Sequence, residues 1–135
     1  MSSNVHLLAS LRNTMMDEVN TVIGAGGFLR IYAGAQPANA DAPLSGGNVQ
    51  LAELALSATP FSAAVDGRIE ANAIADDPSA DATGTAVWAS YCKSDGTRVV
   101  DVSVATGGAD INLNTTSIIV GARTSVVSAS LTIAA

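Results

Sequence analysis

Residues 85–105 read TAVWASYCKSDGTRVVDVSVA, and this stretch decides the fold. Two runs rich in β-branched and aromatic residues, Thr85–Lys93 and Thr97–Ala105, flank the dipeptide Asp95-Gly96. An Asp-Gly pair between two extended runs predicts a tight hairpin, because both positions tolerate a positive φ. We therefore expect two paired strands here, with Trp88 as a large side chain that anchors the core.

A second Asp-Gly pair and further strand-like runs occur along the rest of the chain. Asp66-Gly67 lies between two extended runs in PFSAAVDGRIEANAI, residues 60–74. FLRIYAG (28–34) and VQLAELALS (49–57) predict two earlier strands, and residues 109–135 predict two or three more. In residues 49–57 we expect the even-numbered side chains to face the core and Glu53 to face away. Turn signals at such short spacing favour a mainly β fold, an antiparallel β-sandwich of the jelly-roll or immunoglobulin-like kind.

The N-terminal residues have a helical rather than a strand period. We expect one amphipathic helix over residues 3–23, capped by Ser3 or Asn4 and ended by GAGG at 24–27. Residues 1–26 then form a helical arm and residues 27–135 the β-sandwich domain. The polar residues Arg12, Asn13, Asp17 and Asn20 lie on the face opposite the apolar stripe, which we expect to dock either on the chain's own sheet or on a neighbouring subunit. The apolar stripe is the candidate interface, and it consists of Val5, Leu8, Leu11, Met15 and Val19, followed by Val22.

Charge and composition exclude several classes of function. Twelve acidic and six basic residues give a net charge of −6, and Lys93 is the single lysine. Without clustered lysine and arginine, direct nucleic-acid binding and attachment to anionic membranes are both unfavourable. The longest apolar runs fall short of the ~20 residues of a membrane span. The N-terminus lacks the basic region of a signal peptide, so we expect synthesis and assembly in the cytoplasm.

The acidic segment Asp76, Asp77 and Asp81 is the first candidate site. Carboxylates this close together are candidate calcium ligands, but an EF-hand needs ligands at alternate positions, a central Gly and a terminal Glu. The segment DDPSADATG has a different order. We interpret it as a solvated turn, with a weak cation site as the alternative.

Four further features are candidates for chemistry. His6 and Cys92 are the only residues of their kinds, and neither has a sequence partner that predicts catalysis, so both are interpreted as packing residues. Trp88 is interpreted as a core residue, with sugar stacking as the alternative. The glycines of GAGG follow a helix, whose C-terminal dipole disfavours phosphate. The sequence therefore predicts no catalytic, cofactor or metal site.

Four stretches carry a resemblance to a known family. They are GFLRIYAGAQPANADAP (27–43), LAELALSATPF (51–61), ANAIADDPSADATGTAVWASYCKSDGT (71–97) and GGADINLNTTSIIVGARTSVVSASLTI (107–133). Together they resemble small structural proteins of tailed-bacteriophage and prophage virions. The most specific blocks lie at residues 71–88 and 109–121, and neither contains a catalytic motif.

The resemblance implies a non-enzymatic role in the virion. The role that it favours is capsid decoration, in which a cement protein on the outside of the head bridges major capsid subunits. Its partners are then the major capsid protein, copies of itself, or both. Two alternatives remain: a tail or fibre component, and a glycan- or cation-binding β-sandwich module.

Overall fold

A computed structural model describes residues 6–133 of the chain. It contains one helix, α1 (Ala9–Ile23), within that range. The nine strands follow in chain order: β1 (Phe28–Tyr32), β2 (Gln50–Ala55), β3 (Arg68–Glu70), β4 (Gly84–Thr85), β5 (Trp88–Cys92), β6 (Arg98–Ala105), β7 (Ile111–Leu113), β8 (Ser117–Ile118) and β9 (Val126–Thr132). Seven of them form one sheet in the order β2-β1-β5-β6-β7-β9-β3, and β4 pairs with β8.

Both Asp-Gly hairpins are confirmed. Asp66 and Gly67 have φ values of 52° and 74°, and Val65 and Arg68 exchange two backbone hydrogen bonds across them. Two consecutive positive φ angles are the geometry that a two-residue hairpin turn requires. Gly96, at φ 89°, closes the β5–β6 hairpin. Its first strand begins at Trp88 and not at Thr85, because Thr85 pairs with Ser117 in the small sheet.

The pairing of β6 with β7 is parallel, whereas the other pairings in the large sheet are antiparallel. The short connection between them is held by Asp110, whose carboxylate accepts bonds from the backbone N–H and the hydroxyl of Ser103 at 3.1 and 3.0 Å. Gly108, at φ 76°, adopts the left-handed conformation that glycine tolerates within this connection. The fold is otherwise the mainly β, sandwich-like arrangement with one helix that the turn spacing predicts.

One apolar core lies inside the curved sheet. It joins side chains from both halves of the sheet, including Leu29 and Tyr91 on one side and Ile111 and Leu131 on the other. Phe61 packs edge-on against Tyr91, with ring centroids 4.9 Å apart. This enclosure of a shared core by two halves of a sheet is what makes the fold sandwich-like.

Two expectations need correction, one about side-chain burial in β2 and one about where the helix begins. In β2, Ala52 and Leu54 face the core as expected, but Leu51 on the other face is also fully buried. The segment at residues 81–84 covers it: Asp81 N–H donates to the Leu51 carbonyl at 2.7 Å, and Gly84 lies against its side chain. The helix begins at Ala9, after Leu8, rather than at residue 3. The expected caps, Ser3 and Asn4, lie outside the described residues.

Candidate interaction surface

The helix α1 is attached to the β domain through its polar face. Three side-chain oxygens, one turn apart, accept backbone N–H groups from the segment at residues 61–67. Asn20 accepts from Phe61 at 3.1 Å, Asp17 from Ala64 at 2.8 Å, and Asn13 from Gly67 at 2.8 Å. The helix and the segment run in opposite chain directions, so Asn20, Asp17 and Asn13 in turn meet residues 61, 64 and 67. This row of acceptors fixes which side of α1 faces the body.

Apolar contacts supplement the polar row. Met16 and Ile23 are buried and belong to the core, and Val19 packs against it from the side. Arg12 lies along Gly67 and donates to the Leu7 carbonyl. Gly24, with φ 68°, ends the helix and donates to the Asn20 carbonyl at 3.1 Å, as the GAGG segment predicts. Of the two docking alternatives, the apolar stripe does not take its own sheet, because the polar face is the one that contacts the β domain.

The apolar stripe of α1 consequently faces outward. The exposed fraction is 71% for Leu8, 46% for Leu11, 41% for Met15 and 45% for Val22. We call these four residues, with Glu18, the α1 seam. At 100° per residue the four positions within α1 fall within an arc of about 60°, and Leu8 directly precedes the helix. Of the predicted interface residues, Leu8, Leu11 and Met15 lie on this seam, Val19 is part of the intramolecular contact, and Val5 lies outside the described residues.

The acidic segment closes an edge of the sheet. Asp77 is only 7% exposed, and its carboxylate accepts the backbone N–H of Glu53 at 3.0 Å and of Ser79 at 2.9 Å. Glu53 lies on β2, the edge strand, so this bond satisfies an N–H that has no neighbouring strand on that side. Ala75 and Asp81 donate to β2 carbonyls on either side of it. The segment acts as an irregular strand along the edge.

The other two carboxylates of the segment are engaged separately. Asp76 forms an ion pair with Arg123 at 3.1 Å, and Asp81 accepts from the Gln50 amide at 3.1 Å. Among residues 6–133, no group of three acidic, histidine or cysteine side chains converges in a way that could hold a metal ion. The solvated-turn interpretation is thus wrong for Asp77, which is buried, and fits the exposed Asp76 and Asp81.

A charged row crosses the face of the sheet that lies opposite the core. The register places Glu53, Arg30, Ser90 and Asp101 side by side on β2, β1, β5 and β6. Arg30 pairs with Glu53 at 2.7 Å. Two nitrogens of Arg98 donate hydrogen bonds to the Asp101 carboxylate, at 3.2 and 2.8 Å, and the Asp101 side chain is only 4% exposed. Sequence reasoning missed this row, although the single charged residue of β1, Arg30 between Leu29 and Ile31, is the signal that could have shown it.

Arg98 also holds a long connection over this face. Its remaining donors reach the carbonyls of Ala42 and Asn39 at 2.6 and 3.0 Å, which ties down the irregular segment between β1 and β2. We call residues 34–48 the strap. The Arg98 guanidinium lies 5.5 Å from the centre of the Trp88 ring.

Trp88 is fully buried and stacks on Tyr32, with ring centroids 4.5 Å apart. It lies on the second face of the sheet, beside the charged row, rather than in the main core. Its indole N–H has no acceptor among the described residues. In this conformation the ring has no exposed surface on which a sugar could stack.

The nucleophile candidates are inside the protein. Cys92 is fully buried, and burial raises the pKa of its thiol above the ordinary value. Burial, reinforced by the charge of Asp110, raises the pKa of Tyr91 even more. Both shifts favour the neutral side chains, so neither group is activated for attack. His6 is exposed near the start of α1.

Comparisons with protein-family models, with curated proteins and with solved structures each gave no match. In the described part of the chain, no helix combines the length and the apolar character that crossing a membrane requires.

Proposed function

We propose that this protein is a non-enzymatic structural protein of a tailed-phage virion, with decoration of the head as its role. The assignment to virion proteins rests on the resemblance of residues 71–88 and 109–121 to small virion proteins. The observation that carries the proposal is the α1 seam, because its four apolar side chains are exposed along one side of the helix, turned away from the body.

The seam has the properties of a contact surface for another protein. Single exposed apolar side chains are common, but contiguous large ones on one helix face mark interaction sites. The helix cannot bury the seam against its own sheet, since the Asn13, Asp17 and Asn20 bonds fix the opposite orientation. Leu8, Leu11 and Met15 are thus available to a neighbouring subunit.

The groups with potential chemistry support a structural role, because they are used inside the fold. Asp77 closes a sheet edge, Cys92 and Trp88 are buried, and Asp101 is locked to Arg98. Each of these contacts stabilises one conformation of the β domain. A decoration protein needs such a rigid body, and many identical weak contacts on a shell add up to tight attachment.

The acidic charge fits a position on the outside of the head. Four of the five arginines are already paired with carboxylates: Arg30, Arg68, Arg98 and Arg123. The protein therefore has a net charge of −6, and these paired arginines do not form a basic patch. Such a surface is repelled by packaged DNA and is available to a protein shell.

The test is attachment to virus particles that lack this protein. Purified protein is added to such particles, and the complexes are imaged by electron microscopy. We expect added density on heads for the wild type and for Val127→Asp, a matched control at an exposed site on β9. Leu11→Asp should remove the density. Density only on tails would assign the protein to the tail or fibre, and unchanged binding of Leu11→Asp would exclude the seam.

A further inference from the structure

The α1 seam has the spacing of a coiled-coil contact. Leu8, Leu11, Met15, Glu18 and Val22 follow one another at steps of three, four, three and four residues. This is the a/d pattern through which one helix packs against another. Four of the five positions are apolar, and the fifth, Glu18, is an exposed acid at a d position.

Glu18 determines what kind of helix fits. A helix packed over the seam brings one of its own core positions against the Glu18 carboxylate. An apolar residue there would strip the carboxylate of water without compensation, and an acidic residue would repel it. A lysine or arginine supplies both a partner charge and hydrogen-bond donors.

A second copy of this chain does not supply that cation. Within residues 6–133 the chain has one helix, and its basic residue, Arg12, lies against Gly67 of its own body. In a parallel pair of α1 helices Glu18 meets Glu18. In an antiparallel pair, a positions face d positions, so Glu18 meets an apolar a residue such as Met15 or Val22.

We infer that the seam binds an amphipathic helix of a different protein, one that presents apolar a/d residues interrupted by a lysine or arginine opposite Glu18. This inference rests on the proposed function only in taking the seam as the attachment surface. It adds the secondary structure and the charge of the partner segment.

The experiment uses two fluorescently labelled 21-residue helical peptides and the whole protein. Both peptides have leucine at the a and d positions, and they differ only at the central core position, which is lysine in one and glutamate in the other. Fluorescence anisotropy measures the dissociation constant of each. Analytical ultracentrifugation of the protein alone measures self-association.

We expect the lysine peptide to bind at least about tenfold more tightly than its glutamate twin, and the protein alone to be monomeric. Glu18→Gln should weaken lysine-peptide binding about two- to fivefold, the range for an exposed ion pair. Glu18→Lys should reverse the preference. Glu70→Gln, at an exposed glutamate on β3, is the matched control and should change nothing.

Equal affinity for the two peptides would overturn the inference, and so would binding of neither. A wild-type dimer that Leu11→Asp dissociates would make a second copy the occupant and overturn it as well. Circular dichroism of each variant shows that α1 and the β domain are intact. Because virus particles are absent from this experiment, its outcome is independent of the decoration test.

Discussion

The carboxylate of Asp77 accepts the backbone N–H of Glu53 at 3.0 Å, on the open edge of β2. A side chain thus does what a neighbouring strand would do, and the edge is withheld from other chains.

Asp77→Ala should therefore lower the free energy of unfolding by about 1–3 kcal/mol, because it leaves the N–H groups of Glu53 and Ser79 without their acceptor. Asp77→Asn, which keeps one acceptor oxygen, should cost less. Urea denaturation measures both changes. Asp81→Ala is the control, since that carboxylate is exposed and should contribute little. Equal effects at the two positions would contradict the edge role.

The polar row on α1 predicts that the helix is held by its amide and carboxylate oxygens. Asn20→Ala should lower the free energy of unfolding by about 1 kcal/mol, as expected for one lost hydrogen bond. It should also speed hydrogen exchange at Phe61, whose N–H it frees. Thr21→Ala, one position away on the exposed side, is the control. Mass spectrometry measures the exchange over residues 58–67. If exchange there stays slow in Asn20→Ala, the Asn20 side chain does not hold this segment.

Arg98 predicts a measurable link between the strap and the only tryptophan of the chain. Arg98→Lys keeps a charge beside Asp101 but cannot make the same four hydrogen bonds to Asp101, Ala42 and Asn39. We expect the strap to open more often and Trp88 to become more accessible to acrylamide quenching. Arg68→Lys, at an exposed ion pair, is the control. Quenching equal to that of the wild type would show that Arg98 does not hold the strap.

Stability should fall at alkaline pH. Burial raises the pKa values of Tyr91, Tyr32 and Cys92, so these groups release protons at lower pH in the unfolded chain than in the folded one. Their contribution is complete below the ordinary thiol pKa of about 8.5 and is lost progressively above it. Urea denaturation between pH 7 and 11 measures the slope. Tyr91→Phe should flatten it, whereas an unchanged slope would exclude Tyr91 as a source.

The sequence was most informative where a local rule acts alone. Asp66-Gly67 and Gly96 specify hairpins because the positive φ angles required there suit these residues wherever they occur. Gly24 specifies the end of α1 for the same reason. The β-rich class follows from the repetition of such signals.

The sequence left the direction of α1 open between its own sheet and a neighbouring subunit, because hydropathy was the only guide. Asn13, Asp17 and Asn20 look like a solvated face until the amides of residues 61–67 are placed beside them, and that partner lies far away in sequence. Asp77 was misjudged for the same reason, since its acceptor role depends on an edge strand that local pattern does not reveal. Of the candidate interface, Leu8, Leu11 and Met15 were named from the sequence, but their exposure required the fold.

The attachment of α1 also sets an order of events during synthesis. The helix leaves the ribosome before the strands, but the segment that supplies its N–H donors leads into β3, and β3 pairs with β9. The docking site is therefore complete only after β9 has been made. Until then the polar row of α1 bonds to water and its apolar seam is exposed. A nascent chain of this kind should fold from the sheet outward, with α1 settling after the strands.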